Sequence, residues 1–347
     1  MHRIAVIGTG GLARAACYAL AAVGTTPVDV VVIGRAFDRT TELCYIANAR
    51  AAAAGRPEIA FEPFVGDLAL ALSDVDGALV CASTQSPWER HASPSAWTDL
   101  VRHAGFGLTL PFQAELALAA GRVLPRTSWL INGCFPDGVN PLLAALDVPV
   151  LCGIGNIALL AASAQAALGL PDQRRLRMVA HHVHLHAPAE GDEDVLAWYD
   201  DEPVAVPGDL LAEQRSAADR SELNHVTGLA AALLVDAVLT GTPVETHLPG
   251  PLGLPGGYPV RVRGAEVELR LPAGLSRSDA VAFNQRASVA DGVLVDGGRV
   301  VFGSAVGELL PDLADGFAVD DLAEVTTELN GLRERLRGET SGMETPV

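Results

Sequence analysis

The sequence predicts an α/β protein in which a doubly wound parallel sheet is followed by a second, α+β unit. Short apolar runs alternate with helix-like segments over the first 152 residues, which is typical of a parallel sheet covered by helices on both faces. The pattern then changes to a long helix and hairpin-like strands. We therefore expect a dinucleotide-binding unit at 1–152, a catalytic unit at 153–335 and a polar tail at 336–347.

The composition is that of a globular protein with a large core. Of the 347 residues, 49% are hydrophobic and 19% are charged, which is enough apolar material for two lobes. The net charge of −18 repels nucleic-acid phosphates and anionic lipids, so neither partner is expected. Five cysteines are scattered in or beside apolar runs without a CxxC pair, as in reduced proteins. With neither a signal peptide nor a membrane-length apolar run apparent, a cytoplasmic protein is expected.

The first strand, at residues 4–7, leads directly into a glycine-rich turn. The segment 8–13 reads GTGGLA and precedes an alanine-rich helix. Gly8 permits a tight turn, Gly10 lets a pyrophosphate approach the backbone, and Ala13 lets the helix pack closely on the strand. The helix N-terminus then faces the phosphates. Unless this is an ordinary glycine turn, it forms a Rossmann-type cofactor site from Gly8, Thr9, Gly10, Gly11, Leu12 and Ala13.

The end of the second strand bears on the choice between NAD and NADP. An Asp or Glu there would bind the ribose hydroxyls of NAD, but the strand at 28–33 is followed by Gly34 and Arg35. A guanidinium suits a 2′-phosphate, so the sequence favours NADP over NAD. The alternative is that Arg35 only faces solvent, and the neighbouring Asp38 and Arg39 keep the choice open.

Further strands and helices complete the predicted sheet. The strands cover residues 77–82, 128–131 and 148–152, and the helices cover 40–54, 94–103 and 112–123. Ligands of such sheets bind beyond the carboxyl ends of the strands, where Ala82 and Asn132 lie. The Asn132 amide is expected either to bond the nicotinamide carboxamide or a substrate oxygen, or to make an Asx turn.

Four histidines lie within six residues of the second unit, in the segment VAHHVHLHAP at 179–188. If a strand runs to residue 186, alternation puts His182, His184 and His186 on one face. An HxH pair can chelate a metal, but imidazoles along one strand splay apart instead of converging on a tetrahedral zinc. The segment is therefore a proton donor, a hydrogen-bonded structural cluster or a metal site. We expect no metal and favour His182 as general acid and base.

Several motifs resemble the lactate/malate dehydrogenase superfamily over roughly residues 4 to 290. IAVIGTGGLARA matches the family's opening, and LINGCFPDGVN stands where the family has a strand ending in an Asn-Pro-x-Asp turn. PVLCGIGN resembles the crossover into the catalytic unit, and MVAHHVHLHAP occupies the place of the strand with the catalytic histidine. Residues 253–283 are similar to the closing hairpin and helix, whereas 303–337 have no counterpart.

The resemblance implies an NAD(P)-dependent dehydrogenase with His182 as its catalytic histidine. It also implies that Asn156 replaces the aspartate that orients this histidine, and that Leu159 replaces the arginine that binds the substrate carboxylate. Asn can accept an imidazole N–H bond but lacks the charge, and Leu cannot form a fork to a carboxylate. We therefore expect a ketone, an imine or a bulkier specialised metabolite in a more apolar pocket, instead of a simple 2-hydroxy acid.

The remaining candidates are weaker. In this family, the loop after the fourth strand brings an arginine over the substrate carbonyl, and Arg90 fits that role better than the helical Arg102. His184 and His225 are candidates for substrate binding, although a lone helical histidine also suits a structural role. Cys134 is expected to pack as a small buried group.

The resemblance also implies a homodimer or homotetramer acting on a small molecule. Two alternatives come from other functional classes. One is a dinucleotide-binding regulatory or scaffold protein without turnover, and the other is a metal-dependent lyase or hydrolase that uses the clustered histidines.

Overall fold

The computed structural model describes residues 1–216 and 222–339. The first unit contains, in chain order, β1 (His2–Ile7), α1 (Gly11–Val23), β2 (Val28–Ile33), α2 (Phe37–Ala53), β3 (Ile59–Phe64), α3 (Leu68–Ala71), β4 (Gly77–Val80), α4 (Glu89–Ala92), α5 (Ala96–Ala104), α6 (Leu110–Val123), β5 (Trp129–Asn132), α7 (Val139–Ala145) and β6 (Val150–Gly153).

The strands of the first unit form one parallel sheet in the order β3-β2-β1-β4-β5-β6. Both faces are covered, because Ile4 and Val6 of β1 belong to one buried cluster while Ala5 and Ile7 belong to another. This explains why the strands are continuous apolar runs without alternation. The strand order reverses between β1 and β4, so a crevice opens at their carboxyl ends. The predicted doubly wound parallel sheet is confirmed.

The edge strand β3 is absent from the predicted strands. Its residues alternate between buried and exposed, and it contains Pro63, which is tolerated because an edge strand has one side without a ladder partner. The side chain of Asn48 on α2 both donates to and accepts from the backbone of Phe61, each at 2.9 Å. Contacts with α2 therefore stabilise a strand whose local sequence signal is weak.

The second unit is α+β, as predicted. It contains α8 (Asn156–Ala167), β7 (Leu176–Val179), β8 (Leu196–Tyr199), β9 (Glu202–Pro203), α9 (Ala212–Ser216), α10 (Leu223–Thr240), β10 (Val244–Pro249), β11 (Gly257–Arg263), β12 (Glu266–Leu269) and α11 (Arg277–Ala290). Two antiparallel three-stranded sheets, β7-β8-β9 and β10-β11-β12, are joined by a bridge between Ala180 and Gly257.

The expected strand through the histidine segment is wrong. Strand β7 ends at Val179, and His182–Leu185 form a 3-10 turn. The backbone N–H of His181 donates to Nδ1 of His184 at 2.8 Å, so a side chain of the segment stabilises the turn. Alternation therefore does not decide where these imidazoles point.

The C-terminal segment returns to the first unit. It contains β13 (Val293–Asp296), β14 (Arg299–Phe302), α12 (Ser304–Leu309), β15 (Phe317–Ala318) and α13 (Leu322–Arg337). Val306, Phe317 and Leu329 share one buried cluster with Ala5 and Ile7 of β1. The segment without a family counterpart thus completes the core of the dinucleotide-binding unit. The boundaries near 152 and 335 remain predictions, and residues 340–347 of the expected tail lie outside the described chain.

Helix α13 also holds the loop that follows β4. Arg333 is 7% exposed, donates to the carbonyl of Thr84 at 3.2 Å and lies 4.0 Å from the ring centroid of Phe112. Arg337 pairs with Glu89 through two hydrogen bonds of 2.7 and 2.8 Å. The loop that follows β4 is therefore tied to the C-terminal helix.

Helix α10 is long and apolar enough to cross a membrane by length and composition. It packs on α1, however, and a Cβ on its Gly228 would lie 2.5 Å from the Cβ of Ala15. Buried residues, among them Ala231, Leu234 and Val235, join the apolar cluster beneath the sheet. One face of the helix is therefore packed against the rest of the protein, and 44% of its apolar window is buried.

Candidate functional site

The glycine turn has the geometry of a phosphate cradle. Gly8 has a φ of +126°, which favours glycine, and its N–H donates to the carbonyl of Ile33 at 2.8 Å. Helix α1 follows Gly10, which offers no capping side chain, so the N–H groups of the first turn remain available to an anion. A Cβ built on Gly10 would meet no described atom within 4 Å. The residues present thus fit a dinucleotide pyrophosphate.

The predicted neighbours of this turn lie beside it. A Cβ on Gly8 would lie 2.9 Å from the Cβ of Ala82, so the two strand ends meet closely. A Cβ on Gly34 would lie 2.9 Å from Thr9 and 2.1 Å from Oγ1 of Thr40, which leaves no room for a larger residue. Arg35 is exposed, and its predicted role toward a 2′-phosphate stays a prediction.

A cleft continues from the glycine turn to the carboxyl ends of β5 and β6. The residues that line it come from both units and are Leu12, Asn132, Gly133, Cys134, Phe135, Asp137, Asn140, Ile154, Gly155, Asn156, Asn224, Thr227 and Pro249. Leu12, Asn132 and Asn156 were selected from the sequence. Because Leu12 belongs to the first turn of α1 and Asn132 ends β5, the cleft lies where a ligand of such a sheet binds.

The amide of Asn132 organises the floor of this cleft. Its Oδ1 accepts from the N–H of Cys134, and its Nδ2 donates to the carbonyl of Cys134 and to Oδ1 of Asn140, all at 3.0 Å. These bonds correspond to the expected Asx turn. A role for Asn132 toward cofactor or substrate stays a prediction.

His182 is paired with a carboxylate that the sequence did not suggest. Its Nδ1 lies 3.0 Å from Oδ1 of Asp291, and the two side chains are 22% and 10% exposed. Burial alone would raise the pKa of the Asp291 carboxyl, but the charge and hydrogen bond of His182 lower it below its ordinary range. The ionised carboxylate therefore orients the imidazole and stabilises imidazolium.

Asp137 connects this pair to the cleft. Its Oδ2 accepts from the backbone N–H of His182 at 2.9 Å and lies 3.8 Å from Nε2 of His181. The ring of Phe135, which also lines the cleft, lies 5.5 Å from that of His182, centroid to centroid. His182 is thus bonded to one cleft residue and packed on another, although it is not itself among the lining residues.

Other predicted residues lie away from the cleft. His184 is 2% exposed and its ring stacks on Phe283 at 5.7 Å, while burial lowers its pKa to about 4. It is a neutral, buried residue. The side chain of His225 is 71% exposed, beside Glu222, and Arg90 is exposed on α4. Neither of these two lines the cleft.

The expected apolar pocket stays a prediction, but Leu159 does not contribute to it. Leu159 is 4% exposed and packs in the core of the second unit, so it adds no apolar surface to the cleft. Asn156 is the first residue of α8 and lines the cleft, but the carboxylate next to His182 comes from the end of α11. Four of the described residues that line the cleft are asparagines: Asn132, Asn140, Asn156 and Asn224.

The described residues contain no group of three or more His, Cys, Asp and Glu side chains that could hold a metal ion. The histidines of the 3-10 turn instead bond to other partners, and Nε2 of His181 lies 3.1 Å from Oγ of Ser288. The sulfur of Cys134 lies 3.1 Å from the carbonyl oxygen of Ala82, and burial raises its pKa to about 12. Such a thiol is a poor nucleophile.

The polar residues of the site that were missed from the sequence include Asp137, Asn140, Asn224, Thr227 and Asp291. Asn224 and Thr227 are three positions apart on α10 and so share one helix face, which is a signal that could have favoured them over His225. A Cβ on Gly11 would lie 3.1 Å from Nδ2 of Asn224, so this amide reaches the glycine turn. Asp291 follows α11 with no comparable local signal.

A scan against protein-family models and a search of curated proteins give no match. Solved structures are similar to this chain at low identity. A 6-phospho-β-glucosidase from Thermotoga maritima, solved with manganese, NAD+ and glucose 6-phosphate, has a TM-score of 0.60 and 12% identity over 97% of this chain and 99% of its own. A 6-phospho-α-glucosidase from gut microorganisms, in complex with NAD and glucose 6-phosphate, has a TM-score of 0.59 and 9% identity over 98% and 99%.

A lactate dehydrogenase from a deep-sea metagenome library of the Medee basin is similar as well. Its TM-score is 0.54 at 15% identity, over 84% of this chain and 98% of its own. The predicted resemblance to the lactate/malate dehydrogenase-like superfamily is thereby confirmed for the two-unit fold. Since one fold hosts many chemistries, the site and not the likeness must carry the function.

Proposed function

We propose that the protein is an NAD(P)-dependent oxidoreductase that transfers a hydride to or from a C=O/C–OH or C=N group of a small molecule, with His182 as general acid and base. The observation that carries this proposal is the 3.0 Å contact between Nδ1 of His182 and the largely buried Asp291, next to a cleft that begins at the glycine turn. The two phospho-glucosidases of similar fold were solved with NAD, which supports a nicotinamide cofactor.

Different residues bind the cofactor, transfer the proton and orient the imidazole. A bound nicotinamide supplies or accepts the hydride. The open turn at Gly10 and the N-terminus of α1 bind the phosphates, and Asn132 with its bonded turn forms the floor near the reacting end. His182 gives a proton to the oxygen when a carbonyl is reduced and takes one when an alcohol is oxidised. Asp291 holds the imidazole of His182 in one tautomer by accepting a hydrogen bond from Nδ1 of the ring.

NADP is the proposed form of the cofactor. The support is that Gly34 and Arg35 stand where an NAD enzyme carries its acidic residue, and that the Arg35 side chain is exposed beside the turn. The two phospho-glucosidases of similar fold were solved with NAD, which favours NAD instead. A direct comparison of the two reduced cofactors therefore belongs in the first experiment.

We also propose a reducing, cytoplasmic location and a homodimer or homotetramer. All five cysteines are free thiols, and Cys17, Cys44 and Cys152 are buried, as in proteins of reducing compartments. The oligomer follows from the family resemblance alone. Light scattering on the purified protein measures the oligomer directly, and a monomer at micromolar concentration would contradict it.

The test combines binding and turnover. Calorimetry with NADH and NADPH should show association at micromolar concentrations, and a panel of ketones, imines and alcohols should give cofactor-dependent turnover. The variant His182→Gln should lose at least about a hundredfold in kcat while cofactor affinity stays within about threefold. His225→Gln, an exposed histidine of α10, is the matched control and should keep full activity.

The possible results separate the functional classes. If neither cofactor binds, the proposal fails. Binding without turnover of any panel member would favour a dinucleotide-binding regulatory or scaffold protein. Stoichiometric metal in the purified protein, with activity lost on chelation, would favour the metal-dependent lyase or hydrolase.

A further inference from the structure

The cleft walls have a distinct chemical character. The polar side chains that line them are Asn132, Asp137, Asn140, Asn156, Asn224 and Thr227. Among the described lining residues, none is Arg, Lys or His. The lining side chains thus offer neutral hydrogen-bonding groups and one carboxylate, and the nearby imidazole of His182 is already paired with the carboxylate of Asp291.

The carboxylate of Asp137 is part of a fixed arrangement. Its side chain is 7% exposed, and Oδ2 accepts from the His182 N–H at 2.9 Å. A buried charge interacts strongly with any charge brought beside it, because little water screens the two. A ligand carboxylate or phosphate would be repelled here, whereas a ligand hydroxyl can donate to the carboxylate and an ammonium group can pair with it.

The amides suit hydroxyl groups in particular. Asn156 and Asn224 are half-buried at the cleft, one at the start of α8 and the other near the start of α10. A side-chain amide both donates and accepts hydrogen bonds, as does a hydroxyl. Amides on two helices of the second unit that face one cleft therefore match hydroxyls on one molecule.

From this arrangement we infer that the substrate is a polyhydroxylated molecule without carboxylate or phosphate groups, bound through Asp137 and the cleft amides, and that an amino group on it strengthens binding. The inference rests on the proposed function, since it names the substrate class of the same site. The inferred ligand carries no phosphate, whereas the similar phospho-glucosidases were solved with glucose 6-phosphate. The basis for the difference is the lack of a cation among the described lining residues.

The experiment compares three ligands that share one ring: glucose, glucosamine and glucose 6-phosphate. Each is added at pH 6.5 to the full-length protein, once without cofactor and once with saturating NADPH, and binding is measured by saturation-transfer NMR and titration. Glucosamine should bind at least as tightly as glucose, and glucose 6-phosphate should bind at least about tenfold more weakly than glucose. The inference fails if glucose 6-phosphate binds more tightly than the other two, or if neither glucose nor glucosamine binds.

The variant Asp137→Asn keeps the shape of the side chain and removes its charge. It should abolish the preference for glucosamine over glucose and reduce the discrimination against glucose 6-phosphate by about tenfold. Asp312→Asn, an exposed aspartate of the C-terminal segment, is the matched control and should leave both ratios unchanged. Unaltered ratios in Asp137→Asn would overturn the role of this carboxylate even if that variant is less stable.

Failure of the inferred substrate class can be distinguished from failure of the proposed function. Turnover of a phosphorylated or carboxylated substrate with NADPH would overturn the inferred substrate class and leave the oxidoreductase proposal standing. Failure of both nicotinamide cofactors to bind, with the ligand preferences as expected, would overturn the oxidoreductase and leave the ligand class.

Discussion

Nδ1 of His182 lies 3.0 Å from Oδ1 of Asp291, across 109 positions of the chain. The imidazole sits in the turn after β7 and the carboxylate at the end of α11, so two separate elements of the second unit form the pair. Asp291 is followed directly by β13, which packs on the first unit. The pair is thus anchored at the junction of the two units.

Removing the charge of Asp291 should impair catalysis more than binding. Asp291→Asn can still accept a hydrogen bond but no longer stabilises imidazolium, so kcat should fall by about a hundredfold or more while KM changes little. Asp312→Asn serves as the control, and a kcat of Asp291→Asn within threefold of the parent would contradict the dyad.

Two substitutions in the glycine turn should affect different properties, one cofactor binding and the other stability. Gly10→Ala should fold normally, since its Cβ meets no described atom within 4 Å, but should weaken NADPH binding at least about tenfold by filling the pyrophosphate space. Gly8→Ala should lower the free energy of unfolding by about 1–3 kcal/mol, because Gly8 has a φ of +126°. Urea unfolding and calorimetry measure the two effects. Normal affinity in Gly10→Ala would place the cofactor elsewhere.

Substitutions of Asn224 and of its neighbour His225 test whether the second unit contributes to cofactor binding. The amide of Asn224 reaches Gly11, whereas the side chain of His225 is 71% exposed. Asn224→Ala should raise the Kd for NADPH about ten- to 150-fold, as expected for loss of a hydrogen bond to a charged group, and His225→Ala should not change it. Equal effects of the two substitutions would argue against contact between α10 and the cofactor.

The exposed Arg35 should decide between the two nicotinamide cofactors. Arg35→Ala should raise the Kd for NADPH about tenfold and leave the Kd for NADH unchanged, because only NADPH carries the 2′-phosphate. Arg126, an exposed arginine after α6, gives the control variant Arg126→Ala. If the parent protein binds NADH more tightly than NADPH, the predicted preference is wrong.

Two buried imidazoles should make stability fall in mild acid. Burial lowers the pKa of His184 to about 4 and that of His247 to about 3, whereas an unfolded histidine titrates near 6.5. As the pH falls below about 6.5, the unfolded chain takes up these protons first, so each residue costs up to ~1.4 kcal/mol of stability per pH unit. That loss ends near the folded-state values.

The measurement is urea unfolding between pH 7.5 and 4.5. His247→Gln removes one of the two titrating groups and should reduce the slope of the free energy of unfolding by roughly half. His91→Gln, at an exposed position of α4, should leave the slope unchanged. A parent protein whose stability does not fall over this range would contradict the neutral, buried state of both imidazoles.

The sequence by itself determined the features that depend on neighbours along the chain. The glycine turn, its strand and its helix lie within 23 residues, and the steric needs of a tight turn and a close phosphate dictate which residues stand there. The continuous apolar strands likewise predicted a parallel sheet. The histidine motif drew attention to His182, whose catalytic role stays a prediction, but the strand assigned to it was wrong because side chains within the segment form a turn.

Only the tertiary structure decided which groups surround that histidine. Asp291 and Asp137 reach His182 from distant parts of the chain, and no periodicity relates positions so far apart. The helix phase that turns Asn224 into the cleft and His225 to solvent is set by packing of α10 on α1. The tertiary structure also decides that residues 293–337 return to the first unit. Burial of apolar surface is favourable whatever the separation of the contacting residues along the chain.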